Sequence, residues 1–264
     1  GGNGADLSLA SAACDALDGV KDGVLEDPTR CRFDPKELQC KGADGPGCLT
    51  AAQVETARRI YSPLVNSRTK LTIFPGYERG SELGWATMAG PQPFSIGVDL
   101  FKYVVFENPN WDYRSFNFDS DVAQTEKVAS ATLDAIDPNL RAFIGRGGKL
   151  IQYHGWSDPQ IAPGFSVSYY RSVLEALGGV SKVQGSFRLF MVPGMAHCFG
   201  GEGTSDFDML GALEQWVEKS QAPDRIPATR VKDGKQDRTR PLCPYPQVEV
   251  YKGTGSTDNA ANFA

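Results

Sequence analysis

Two turns in this 264-residue chain place an acid and a histidine where acyl-transfer chemistry needs them. Asp158 follows the apolar run Lys149–Tyr153 in the turn His154-Gly155-Trp156-Ser157-Asp158-Pro159, and His197 follows the run Phe187–Val192 in Pro193-Gly194-Met195-Ala196-His197-Cys198. One strand delivering an acid and the next delivering a histidine is the order in which the last two members of a Ser-Asp-His triad arrive. A histidine on an exposed strand-end loop can turn Nε2 to a nucleophile and Nδ1 to the acid. That chemistry would be ester cleavage. Two other readings stay open: a core histidine satisfied by backbone, and a turn or capping aspartate in Ser-Asp-Pro. His154, at the end of the first run, reads as structural or pocket-lining rather than catalytic.

The serine of such a triad should sit in G-x-S-x-G between a strand and a helix, and the sequence contains no such motif. Gly164-Phe165-Ser166-Val167-Ser168 lacks the closing glycine and lies downstream of Asp158; Gly80-Ser81-Glu82-Leu83-Gly84 has its serine one place early. Cys198 adjoins His197 in sequence, so its sulfur is badly placed to face the same imidazole. The expectation is therefore a nucleophile carried by a segment N-terminal to this chain.

A second constellation lies near the start, in Cys14-Asp15-Ala16-Leu17-Asp18-Gly19-Val20-Lys21-Asp22-Gly23-Val24. Calcium takes six to eight hard oxygens from a tightly turned loop. Asp15, Asp18 and Asp22 offer carboxylates, and Val20 and Val24 offer backbone carbonyls. With Asp18 as position 1 of an EF-hand, Thr29 rather than Glu falls at position 12, so that motif is excluded. A run of Asp-Gly turns without metal is the alternative.

The elements that must position these residues divide the chain in two. Residues 1–50 are loop-rich, and the opening GGNGADLSLASAAC reads as an internal loop. Thr50 caps a helix with an apolar stripe at Val54, Ala57, Ile60 and Tyr61 and a proline just beyond. Residues 66–125 are irregular and aromatic, and 126–145 read as a helix interrupted at Asp137-Pro138. From 147 the pattern becomes strand Lys149–Tyr153, helix Phe165–Leu177 stopped by Gly178-Gly179, strand Phe187–Val192 and helix Ser205–Lys219 with Phe207, Leu210, Leu213 and Trp216/Val217 on its apolar face. Strand–helix–strand–helix spacing predicts parallel strands covered by helices. The Pro- and charge-rich tail after Pro223 is expected to wrap the surface. A net charge of −5 argues against nucleic-acid binding. No run of 18 apolar residues suggests a membrane span, and the absence of a visible signal peptide says little about location. Of six cysteines, Cys14, Cys31, Cys40 and Cys48 cluster early. That clustering reads as disulfide-stapled loops in an oxidising compartment, with a zinc site as the weaker competitor.

CDALDGVKDGVLEDPTRC, PGYERGSELGW, FKYVVFENPNWDYRSFNFDSD, HGWSDPQIAP and PGMAHCFGG together resemble the tannase and feruloyl esterase family of α/β-hydrolases, over essentially the whole chain. The resemblance implies an α/β fold: the C-terminal part of an α/β-hydrolase core (147–264) preceded by a partial, calcium-binding, disulfide-stapled lid domain (1–146). It implies a secreted or periplasmic serine esterase of aromatic acid esters, feruloyl or galloyl in type, with terephthalate monoesters or a non-catalytic calcium-stabilised module as alternatives. Asp158 and His197 match the family acid and base. The calcium ligands map onto Asp15, Asp18, Val20, Asp22 and Val24. The bridges map onto Cys14–Cys31 and Cys40–Cys48, and Cys198 is expected to bond to the missing N-terminal half beside its nucleophilic serine. Ile161 is expected to border the acyl pocket, with Trp85, Phe101, Tyr103, Arg79 and Arg114 as weaker candidates for substrate contact. Cys243 is left to pair with Cys198 or with a cysteine outside these residues.

Overall fold

Turn-forming residues dominate the first fifth of the chain, and they fold as short 3-10 turns pinned by two disulfides, Cys14–Cys31 and Cys40–Cys48. The structure is a computed structural model and describes residues 8–264. The first seven residues of the expected opening loop lie outside the described residues, and Ser8–Cys14 forms a helix (α1) rather than continuing that loop. Helix α2 (Ala51–Tyr61) begins at Thr50, whose hydroxyl accepts from the Gln53 amide while Gln53 accepts from the Thr50 amide, and it buries Val54 and Ala57. Two orphan N–H groups are thus satisfied reciprocally, which fixes where the helix starts.

The aromatic stretch that follows forms a small hairpin, β1 (Leu64–Val65) with β2 (Thr72–Phe74), then short helical turns, α3 (Ser95–Asp99) and a π-helical turn over Leu100–Val105. Phe101, Phe106 and Trp111 stack on one another here, and Phe116 meets Phe101 and Trp111 edge-on. Helices α4 (Ser120–Leu133) and α5 (Arg141–Gly145) flank Asp137-Pro138, where Pro138 lacks the amide a continuous helix would need.

The second half holds the predicted parallel pair. Strand β3 (Leu150–Gly155) runs beside β4 (Phe187–Val192), in register from Leu150↔Phe187 to Gly155↔Val192. Helices α6 (Gly164–Leu177) and α7 (Val180–Val183) make the crossover. Strand β4 is buried along nearly its whole length, as a strand covered on both faces must be. Its Phe187, Leu189 and Met191 pack with Val167, Tyr170, Val173 and Val183 on one side, and Phe190 and Val192 pack with Ile226, Ala228 and Leu242 on the other. Alternating side chains along one strand therefore nucleate both cores.

Two expectations fail in the C-terminal region. Asp206–Phe207 (β5) pairs with the next strand, so helix α8 begins only at Met209, capped by Asp208, and ends at Lys219. Its buried side is Met209, Ala212 and Trp216, while Leu210 and Val217 are exposed. The tail does not merely wrap the surface. Strands β6 (Ile226–Lys232) and β7 (Lys235–Leu242) form an antiparallel hairpin whose Ile226, Ala228 and Leu242 complete the second core. Alternation along β7 is interrupted by Arg238 and Arg240, which turn out to be buried ion-pair partners, and that hid the hairpin in the sequence.

No helix among the described residues is long and apolar enough to cross a membrane. Packing is close where β3 ends. A Cβ built on Gly155 would stand 2.2 Å from the Met195 carbonyl oxygen and 2.7 Å from that of Ala196. Gly155→Ala is therefore expected to cost about 1–3 kcal/mol or more, the range for forced overpacking. It should lower the thermal midpoint in a calorimetric scan; an unchanged midpoint would contradict this packing.

Candidate active site

The register of β3 with β4 brings both strand ends to one edge of the sheet, and the turns beyond them meet there. The Trp156 amide donates to the Val192 carbonyl and the Ser157 amide to the Met195 carbonyl. These bonds lock the Asp158 turn against the His197 loop. That loop is itself pinned by Gly194, Gly200 and Gly201, all at positive φ, and by the Ala196 amide donating to Gly200. Gly201 has no room for a side chain, since a Cβ there would lie 2.1 Å from the Gly194 carbonyl oxygen.

Within this frame His197 Nδ1 lies 2.8 Å from Asp158 Oδ2. Asp158 is buried, at 2% exposure, while the His197 side chain is 37% exposed. Oδ1 of Asp158 accepts from the amides of Gln160 at 2.8 Å and Ile161 at 2.9 Å. Burial acts to raise the Asp158 carboxyl. Hydrogen bonds from His154, the Ile161 amide, His197 and the Gln160 amide outweigh it and bring the pKa down to about 2. The result is a fixed, charged acceptor directed at Nδ1, which leaves Nε2 as the ring nitrogen able to exchange a proton with a nucleophile.

His154 proves to be part of the same cluster. Its Nε2 is 3.1 Å from Asp158 Oδ2 and 3.0 Å from the Ile161 carbonyl oxygen, and its Nδ1 is 2.7 Å from Ser166 Oγ on α6. From the sequence alone the residue reads as structural or pocket-lining rather than catalytic. The available signal was its spacing of four from Asp158 in a strand-to-turn segment, which curls the chain back onto the strand end. Ile161 contributes its backbone to both Asp158 and His154, and its side chain is exposed beside them.

The weaker candidates for substrate contact separate. Trp85 is buried, donates to Ser81 Oγ and packs edge-on against Tyr61, so it is core. Arg79 is spent on the Phe33 carbonyl and on the Tyr61 ring, and Arg114 pairs with its neighbour Asp112. Phe101 belongs to the aromatic stack, and Tyr103 is exposed.

In the acidic loop, Asp15 Oδ1 accepts from the amides of Asp22 and Gly23, Asp18 from that of Val20, and Asp22 from that of Val24. Asp18, Val20, Asp22 and Val24 line one small cavity of about 20 Å³, room for a single water-sized occupant. Asp15 does not line it. Asp22 Oδ2 is met by Arg240 at 2.5 Å and Arg238 at 3.3 Å. Among the described residues no three His, Cys, Asp or Glu side chains converge in metal-ligating geometry. The donor set, carboxylates and backbone carbonyls only, is nevertheless the hard-oxygen chemistry that suits calcium. Outside the two disulfides, Cys198 is exposed at positive φ and Cys243 half-buried, and neither is bonded to the other.

The chain is similar in sequence and fold to known proteins. The family model described as tannase and feruloyl esterase matches residues 7–264. An uncharacterized esterase of Xanthomonas campestris pv. campestris is 38% identical over 97% of this chain and 53% of its own length. A probable feruloyl esterase B-1 of Aspergillus flavus is 36% identical over 94% of this chain and 51% of its own. The crystal structure of feruloyl esterase B from Aspergillus oryzae superimposes with a TM-score of 0.90 at 30% identity, over 98% of this chain and 55% of that one. The chain thus spans about half the length of the curated relatives it matches. With a family match over nearly all its residues, the chain belongs to the tannase and feruloyl esterase family.

Proposed function

We propose that this chain supplies the acid and base of a serine carboxylic-ester hydrolase acting on aromatic acid esters, with the nucleophilic serine carried by a segment outside these 264 residues. The observation that carries the reading is the hydrogen bond from His197 Nδ1 to the buried Asp158 carboxylate, at 2.8 Å. His197 takes the serine proton through Nε2 as the serine attacks the ester carbonyl, and returns it to the leaving alcohol. Asp158 holds the tautomer and stabilises the imidazolium. Two further observations support a contribution from outside the chain. Strand β3 has no partner on its outer edge among the described residues. Cys198 sits exposed beside His197, placed for a disulfide to the serine-bearing segment. Feruloyl or galloyl esters are the proposed substrates, in keeping with the relatives named feruloyl esterase, and residues 1–146 are proposed as part of a lid over the site. Paired cysteines suit a secreted or periplasmic protein.

In the longer protein that carries the serine, His197→Ala should abolish turnover of methyl ferulate and methyl gallate, and Asp158→Asn should lower kcat by about 10⁴-fold, as losing the acid does in serine hydrolases. Wild-type turnover by His197→Ala would sink the reading. Adding the terephthalate monoester to the panel ranks the acyl groups.

The depressed Asp158 carboxyl also has a signature in stability. A carboxyl held at about 2 against an ordinary 3.8 stabilises the fold above pH 4, and that contribution is lost as pH falls through about 2. Thermal midpoints of the wild type should fall over this window, and those of Asp158→Asn should lack that part of the fall.

Calcium is proposed as a structural ion of the acidic loop, held by Asp18 and Asp22 and by the carbonyls of Val20 and Val24 around the small cavity, with Asp15 bracing the loop through the Asp22 and Gly23 amides. When bound it neutralises the clustered carboxylates and stiffens the loop. Removing it with a chelator should lower the thermal midpoint by several degrees, restored by added calcium and not by magnesium. A midpoint indifferent to both treatments would count against the site.

A further inference from the structure

The Asp158 carboxylate is gripped by two histidines, and the acid–base chemistry above uses only one. The protons of the second can be placed by counting. Ser166 Oγ lies 2.9 Å from Gln152 Nε2, which can only donate, and 2.7 Å from His154 Nδ1. Having accepted from Gln152, the hydroxyl has its single proton free for Nδ1. An Nδ1 that accepts belongs to a neutral imidazole with its proton on Nε2. That N–H faces two acceptors and nothing else, Asp158 Oδ2 at 3.1 Å and the Ile161 carbonyl at 3.0 Å. The side chain of His154 is largely buried, at 12% exposure.

We infer that His154 is a positioning residue for the acid: its Nε2–H holds the same Oδ2 that receives the Nδ1–H of His197, and the Gln152–Ser166 pair on β3 and α6 keeps it in that tautomer. The inference rests on the proposed roles of Asp158 and His197. Its consequences are mechanical and electrostatic. The carboxylate plane is fixed from both ends, by the Gln160 and Ile161 amides on Oδ1 and by His154 on Oδ2. Oδ2 also divides its charge between two donors, the imidazoles of His154 and His197. Among the described residues no Lys or Arg pairs with Asp158. The other titratable group facing it is Tyr77, whose phenol is pushed up by burial and by the Asp158 charge and whose hydroxyl donates to the Gln160 carbonyl.

The test uses the longer protein with its serine, assayed on methyl ferulate. His154→Phe keeps a ring of similar shape and removes both nitrogens. It should lower kcat by about 10–100-fold, the weight of one hydrogen bond to a charged group. KM should stay near the wild-type value. His154→Gln, which keeps an N–H donor, should recover much of kcat. If His154→Phe does not fold, ¹⁵N-histidine NMR of the wild type decides instead: a neutral ring protonated at Nε2 supports the role, and an imidazolium or Nδ1–H form overturns it. A folded His154→Phe with wild-type kcat and KM also overturns it, while an inactive His197→Ala in the same assay leaves the acid–base reading standing. Full activity of His197→Ala overturns both.

Discussion

Everything at this site depends on keeping one carboxylate charged and motionless out of water. An aspartate at 2% exposure would ordinarily take up a proton rather than bear the cost of desolvation. Asp158 avoids this because four donors surround its two oxygens: two backbone amides of its own turn and two imidazoles. The amides come from an Asx-type turn that Asp158 builds for itself with Gln160 and Ile161, so its rotamer and its backbone conformation are one constraint. A side chain fixed in this way can orient a histidine without having to be reorganised when charge develops, which is the condition for electrostatic preorganisation.

That arrangement is expensive in local geometry, and the parallel pair β3–β4 makes it possible. The two strands end level with one another, Gly155 opposite Val192. The 38 residues between Asp158 and His197 comprise strand β4 and the crossover through α6 and α7, which packs back on the pair through Val167, Tyr170, Val173 and Val183. Only glycine at 155 lets the Met195 and Ala196 carbonyls close over the strand end. The same helix that covers the sheet carries Ser166 into the polar cluster. One face of α6 therefore builds the core, and a serine at the rim of that face reaches the His154 ring.

The parts of this architecture governed by local rules were legible in the sequence. Strand β4, helix α6 with its Gly178-Gly179 stop and the Thr50 cap follow from periodicity and capping chemistry, and all three occur within a residue or two of expectation. The approach of Asp158 to His197 was legible because strand-end turns on adjacent parallel strands must meet. What was not legible depended on long-range pairing. The β6–β7 hairpin was masked because Arg238 and Arg240 interrupt its apolar alternation, and their burial makes sense only once Asp22, 216 and 218 residues away, is seen beside them. The grip of His154 on Asp158 likewise required the turn geometry, since spacing alone leaves the direction of the ring undetermined.

Those arginines give the clearest account of why the two ends of the chain fold together. Arg240 donates to Asp22 at 2.5 Å and to Glu249 at 2.8 Å; Arg238 donates to the Asp22 carbonyl and to Asp258. Arg238, Arg240, Asp22 and Glu249 are all buried. A buried ion pair is weak support for net stability, because desolvation offsets most of the attraction, but removing one partner strands the other at large cost. The network therefore acts chiefly as a constraint on pairing: the acidic loop has few other places to go once the hairpin has formed. Burial raises the Glu249 carboxyl to about 8 even with Arg240 opposing, and the nearby charges of Asp22 and Asp18 push the same way. Four carboxyl groups, those of Asp18, Asp22, Glu26 and Glu249, thus share the lining of this cavity with the guanidiniums of Arg238 and Arg240. The loop that faces this hairpin also faces the site from its other side, where Asp15, Gly23 and Leu25 share a cleft with Ser157, Pro159 and Ala196, the residues flanking the acid and the base. An element tied to the hairpin by charge and abutting the turns of Asp158 and His197 couples the order of the acidic loop to the geometry of the site.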